Sequence, residues 1–203
     1  MQGVDGRQSR TVRSRLAICE ACLDLVQEGV LQPSADQIAE RADLSRRSVF
    51  NHFNDLAELY DAVVEVGMQR CAPLLKKISR DEPIERRVEM LTEVRSKFLE
   101  ATAPFTRALT AQALVGPAGE QARRVSLDAL RLQQQDIERL FLGELAGLPQ
   151  QQQLETVEAL SAATSPLTWE YLRRSRGLSM SRARAVLKRT LSALLRDAGV
   201  ELP

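Results

Sequence analysis

Between positions 45 and 52 the chain concentrates Ser45, Arg46, Arg47, Ser48, Asn51 and His52, a dense set of donors and acceptors with two fixed positive charges. Arginine offers a rigid fork that pairs with guanine O6 and N7, asparagine can pair bidentately with adenine, and serine serves a base edge or a phosphate. With Val49 and Phe53 turned inward, these polar residues share the outer face of one short helix, whose N-terminal N–H groups add a phosphate site. That is the chemistry of nucleic-acid recognition. Catalysis finds less support. His52, the single histidine, has no Cys, His or Ser partner at a spacing that would activate a nucleophile or hold a metal. Cys19 and Cys22 form a C-x-x-C, but no second pair completes a zinc set, and both fall inside an apolar helical pattern that reads as helix packing. Glu155 and Glu158 recur at helical spacing without a Glu-x-x-His, and the ten glycines are scattered rather than gathered into a phosphate loop. No catalytic residue, cofactor or metal is assigned.

The elements that position the polar helix announce themselves by their caps. From Arg10 to Glu28, apolar residues including Leu16, Ile18, Cys22, Leu25 and Val26 recur at helical spacing, and Gly29 supplies a stop. Ser34 with Gln37 makes a capping box for a short second helix carrying Ile38, Ala39 and Ala42. Asp43-Leu44 forms a tight break in which Asp43 occupies a left-handed position, and Ser45 caps the helix from Arg46 to Phe53. Ala39 is small where the two helices approach, so Leu44, Val49 and Phe53 can close on Ile38 and the first helix. This is a helix-turn-helix arrangement. Asp55 and Glu58 form a further box opening a longer helix to about Ile78.

Beyond it, Pro83, Pro104 and Pro117 each stand where a helix would begin, dividing the chain into helices over 83–101, 104–115 and 118–146. Pro149 introduces another, running to about Arg174 with a kink at Pro166 and ending before Gly177. The last, over 180–198, places Leu187, Leu191, Leu194 and Ala198 on one stripe. With 44% hydrophobic but only 4% aromatic residues, dominated by Leu, Ala and Val, the 203-residue chain reads as all-α with about nine helices. No run approaches the roughly 20 apolar residues of a membrane span, and the Arg-rich start is no signal peptide, so a cytoplasmic location with three reduced cysteines is expected. Net charge is +1. Residues 1–15 carry four Arg against one Asp, whereas residues 16–60 carry three Arg against eight acids. A few well-placed cations, rather than a broad basic field, must therefore carry any contact with DNA.

The stretch Ile38-Ala39-Glu40-Arg41-Ala42-Asp43-Leu44-Ser45, followed by Ser48-Val49-Phe50-Asn51-His52-Phe53 and Leu59, resembles the signature of the TetR/AcrR family of transcriptional regulators. The resemblance is strong over residues 12–66 and architectural beyond them. It implies an all-helical fold, with a helix-turn-helix domain at 1–54, a linking helix at 55–78, and a regulatory domain for ligand binding and dimerisation at 79–203. It also implies a homodimer on double-stranded DNA at a near-palindromic operator, and repression released by a small-molecule effector, with no membrane partner. The DNA-contacting set is then Arg13, Ser34, Ser45, Arg46, Arg47, Ser48, Asn51 and His52. Three positions depart from the pattern: Asp43 replaces a turn glycine, Phe50 a tyrosine that offers its hydroxyl to the backbone, and Leu56 a phosphate-binding lysine. Contact should lean correspondingly on Arg46, Arg47 and the N-terminal arm.

Relatives use the space between the central helices for ligands, and Phe98, Phe105, Gln112, Gln134 and Trp169 are the candidate lining residues here, though core packing is the stronger reading of each. Leu187, Leu191 and Leu194 are the expected dimer stripe. Two other readings stand beside it: a DNA-binding factor of the same fold controlled by a protein partner, and a carrier or enzyme built on a helical bundle.

Overall fold

The computed structural model describes residues 3–115 and 119–202, with side chains described from residue 9 onward. Every regular element among them is helical, as the sequence implies. In order these are α1 (Gly3–Gln27), α2 (Ala35–Arg41), α3 (Arg46–His52), α4 (Leu56–Cys71), α5 (Ile84–Val115), α6 (Gly119–Leu145), α7 (Gln150–Ala163), α8 (Pro166–Glu170) and α9 (Met180–Asp197). A 3-10 turn, Ala72–Leu74, follows α4, and a π-helical turn, Tyr171–Ser175, follows α8.

The chain packs as two compact units. The first comprises Met1–Ala72 with Pro104–Ser126, the second Pro73–Ala103 with Leu127–Pro203. In the first, α1 is the spine: Ile18, Cys22 and Leu23 are fully buried, and Ile38, Val49, Phe53 and Leu59 from the next three helices close around them. Gly67 on α4 leaves room for Phe105, whose ring would lie 3.9 Å from an added Cβ. Cys19 and Cys22 are buried free thiols, pushed up to about 11 and about 12 chiefly by desolvation, which makes them packing groups rather than nucleophiles. In the second unit, Ile137, Phe141, Leu145, Leu160, Leu191 and Leu195 are all but fully buried and tie α6, α7 and α9 together.

Four expectations need correction. The helix after Asp55 ends at Cys71 rather than near Ile78, because Pro73 has no N–H and its ring opposes the preceding turn. Conversely, Pro104 does not start a helix: α5 runs straight through it for 32 residues. The helix passes from the second unit to the first between Ala103 and Pro104; packing on both sides outweighs the lost hydrogen bond. Pro117 lies outside the described residues. At Pro166 the helix is not kinked but restarted, since the Ser165 side chain accepts from Thr168 N and Pro166 takes the first helical position. Finally, Leu187 and Leu191 are 2% and 0% exposed within the single chain. Their stripe packs on the second unit's own core together with Leu194, so Leu187 and Leu191 have almost no surface left to offer a partner subunit.

Candidate nucleic-acid interface

Two helices of seven residues each carry the candidate surface, too short to persist without caps and packing. Both are capped. Ser34 Oγ accepts from Gln37 N at 3.2 Å while Gln37 Oε1 accepts from Ser34 N at 2.9 Å, so the capping box is complete. Between the helices, Asp43 adopts φ +54°, the left-handed conformation expected of it and the only positive φ among described non-glycine residues. Ser45 then caps α3 through Ser48 N at 3.1 Å, and its hydroxyl meets that of Ser48 at 2.9 Å.

The apolar side of α3 is fixed by Val49 and Phe53, 0% and 1% exposed. What remains outside is the predicted set. Ser45, Arg46, Arg47 and Asn51 are exposed; Ser48 and His52 are half-buried; Arg13 on α1 and Ser34 before α2 are exposed. The structure thus places all eight residues in the first unit, with Ser34, Ser45 and Ser48 already engaged in caps. Arg47 makes no hydrogen bond or ion pair among the described residues. Arg46 is held by Asp36 at 2.9 Å, with both side chains well exposed, and lies 5.7 Å from the Phe50 ring centre. An exposed pair of this kind is weak and readily exchanged for a phosphate or base. Arg41 is occupied by a two-pronged contact to Glu28 at 3.0 and 2.7 Å.

One residue of this region went unrecognised in the sequence. Arg15 looks like part of the basic arm, but its guanidinium stacks 4.1 Å above the Phe53 ring and donates to the His52 carbonyl and to Glu58 at 3.2 Å. It therefore clamps the C-terminus of α3 to the start of α4, where a cation also complements the helix dipole. Glu58, for its part, accepts from Asn54 N at 2.8 Å rather than from Asp55, so only the Asp55 half of the predicted second box forms. Backbone hydrogen bonding from Asn54, ahead of the Arg15 contact, holds the Glu58 carboxyl below its ordinary pKa.

The five candidate ligand residues are divided between the two units. Phe105 and Gln112 belong to the first unit; Phe98, Gln134 and Trp169 belong to the second. Gln112 is 3% exposed with neither amide atom hydrogen-bonded; the Tyr60 hydroxyl near it is committed to the Pro33 carbonyl at 3.1 Å. Phe98 packs against the second core. Trp169 is a core anchor whose Nε1 donates to Glu100 at 2.9 Å. Gln134 faces outward to Glu158 at 3.0 Å, whereas its neighbour Gln133 is the buried amide, donating to Ser161 O and Thr164 Oγ1, each at 2.9 Å. Among the described residues no group of three or more His, Cys, Asp or Glu is placed to hold a metal, and no helix is long and apolar enough to cross a membrane.

Neither a protein-family model nor a curated protein matches the sequence. Solved structures do. The chain is similar to a transcriptional regulator from Rhodococcus sp. Rha1, with a TM-score of 0.70 and 17% identity over 93% of this chain and 99% of that one. It is also similar to a TetR-family transcriptional regulator from Streptomyces coelicolor, with a TM-score of 0.68 and 19% identity over 92% of this chain and 82% of that one. At such identities the likeness is one of fold: the chain has the all-α fold of these regulators.

Proposed function

We propose that the protein is a sequence-specific DNA-binding transcriptional regulator, acting as a homodimeric repressor that a small-molecule ligand releases from its operator. The observation that carries this reading is α3 itself. It is a doubly anchored helix whose inner face is locked by Val49 and Phe53 and whose outer face turns Arg47, Asn51 and Arg46, the last in an exposed and exchangeable pair with Asp36, toward base edges. Likeness of fold to transcriptional regulators supports it independently. In functional terms residues 1–54 are the reading head, 55–78 the link, and 79–203 the regulatory and dimerising part. Two copies of α3, roughly 34–36 Å apart, would enter successive major grooves of a near-palindromic site. A ligand favouring a different spacing would shift the population away from the DNA-competent form.

Selection of bound duplexes from a random pool tests the proposal. Enrichment of a motif with two-fold related halves is the expected result; a pool that stays random after repeated rounds overturns it.

A further inference from the structure

Two arginines eight positions apart on α5 are treated very differently by the second unit. Arg87 is saturated: it donates to Glu82 O at 2.9 Å, to Leu140 O at 2.6 Å and to both carboxylate oxygens of Glu144. Arg95, whose side chain is just as buried at 7% exposure, makes no hydrogen bond among the described residues. Its one counter-charge, Asp136, stands 3.7 Å away, is 57% exposed, and is shared with Arg139 at 3.6 Å. A buried guanidinium is costly unless it is both paired and hydrogen-bonded. Burial accordingly pulls Arg95 below its ordinary pKa, and Asp136 opposes this.

Arg95 lines a cleft of about 360 Å³ in the second unit. Leu75, Ile78, Leu91, Val94 and Leu140 supply its apolar lining. Lys76, Lys77 and Arg139 join Arg95 there against Asp136 alone, a balance of four cations to one anion. Lys76 also feels Glu93, and Arg139, which pairs with Asp136 and donates to Ile78 O at 3.4 Å, shares the rim with Lys77. The volume lies within the range of about 300–1,000 Å³ usual for small-molecule sites.

We propose that this cleft binds a small carboxylate with an apolar body, the carboxylate accepting from Arg95 and the rim cations and the body lying on Ile78, Leu91 and Leu140. The planar fork of Arg95 matches a carboxylate bidentately, and among the described residues no protein acceptor at hydrogen-bond distance competes for its N–H groups. As the identity of the effector, this inference rests on the ligand-controlled reading above; as a binding site it does not.

Calorimetry on the full chain without DNA, with octanoate as the probe, separates the two. Octanoate should bind at least about tenfold more tightly than 1-octanol, octylammonium or inorganic phosphate. Arg95→Met should weaken octanoate by about tenfold or more and leave 1-octanol unchanged. The change leaves no buried charge unpaired, because Asp136 is exposed and also faces Arg139. Should Arg95→Met fail to fold, Lys77→Glu with Arg139→Gln on the rim must still weaken octanoate selectively. No octanoate binding, equal affinity for 1-octanol, or equal affinity in the variants overturns the site. Octanoate that binds but leaves a DNA complex intact overturns only its role as effector.

Discussion

The segment from α2 to α3 and the long helix α5 are built on opposite principles. In the first, seven-residue helices exist because each local instruction is obeyed: Ser34 and Ser45 cap, Asp43 turns left-handed, and Ala39 leaves room for contact. In the second, a 32-residue helix runs through Pro104, the strongest local instruction to stop. Short helices with one buried side cannot survive without their caps, whereas a long helix that contributes to two cores can carry a defect. The surface proposed to read DNA is of the first kind, so its geometry depends on few residues.

That contrast can be broken most severely at the core beneath α3. Phe53→Ala empties a site 1% exposed and removes the platform under Arg15. A loss of about 3–5 kcal/mol is expected in urea denaturation followed by circular dichroism. Pro104→Ala probes the other side: restoring an N–H within α5 should stabilise the chain by about 1–3 kcal/mol, seen as a higher urea midpoint. An unchanged or lower midpoint would mean that α5 depends on its proline.

The pH dependence provides a third comparison. Hydrogen bonding from Arg87 holds the Glu144 carboxyl below its ordinary value near 4.5. A carboxylate depressed in the folded state stabilises above its unfolded pKa, and that contribution is lost as pH falls through the lower folded value. Arg87→Met should therefore flatten the loss of stability below pH 4.5. Effects at the caps should be smaller. Ser45→Ala should cost about 1 kcal/mol. Asp43→Gly, which relieves a left-handed residue at φ +54°, should gain about 0.5–1 kcal/mol in the same assay.

What could be read from the sequence follows the same division. The starts of α2, α3 and α4, the stop at Gly29 and the left-handed turn at Asp43 are local properties, and each is where the caps and spacing put it. Errors arose where tertiary packing decides. The run of α5 through Pro104 depends on two cores that no window of sequence reveals, while the stop before Pro73 is local, set by a residue without an N–H. Leu187 and Leu191 form an apolar stripe equally suited to a partner or to the chain's own interior, and only the packing of α9 shows which. Gln133 rather than Gln134 is the buried amide because helix rotation, not residue type, selects between adjacent positions. Arg15 sits in a run of basic residues that conceals its contact with Phe53, thirty-eight positions away. Arg95 is hidden for the opposite reason: nothing in its sequence neighbourhood marks it as buried with no protein acceptor at hydrogen-bond distance.

The central claim is that Arg46 and Arg47 on α3 meet DNA, and fluorescence anisotropy on a duplex enriched by selection addresses it most directly. Arg46→Ala with Arg47→Ala, in a protein whose thermal unfolding is unchanged, should weaken binding by about tenfold or more per arginine. Full affinity retained in that double variant would contradict the account.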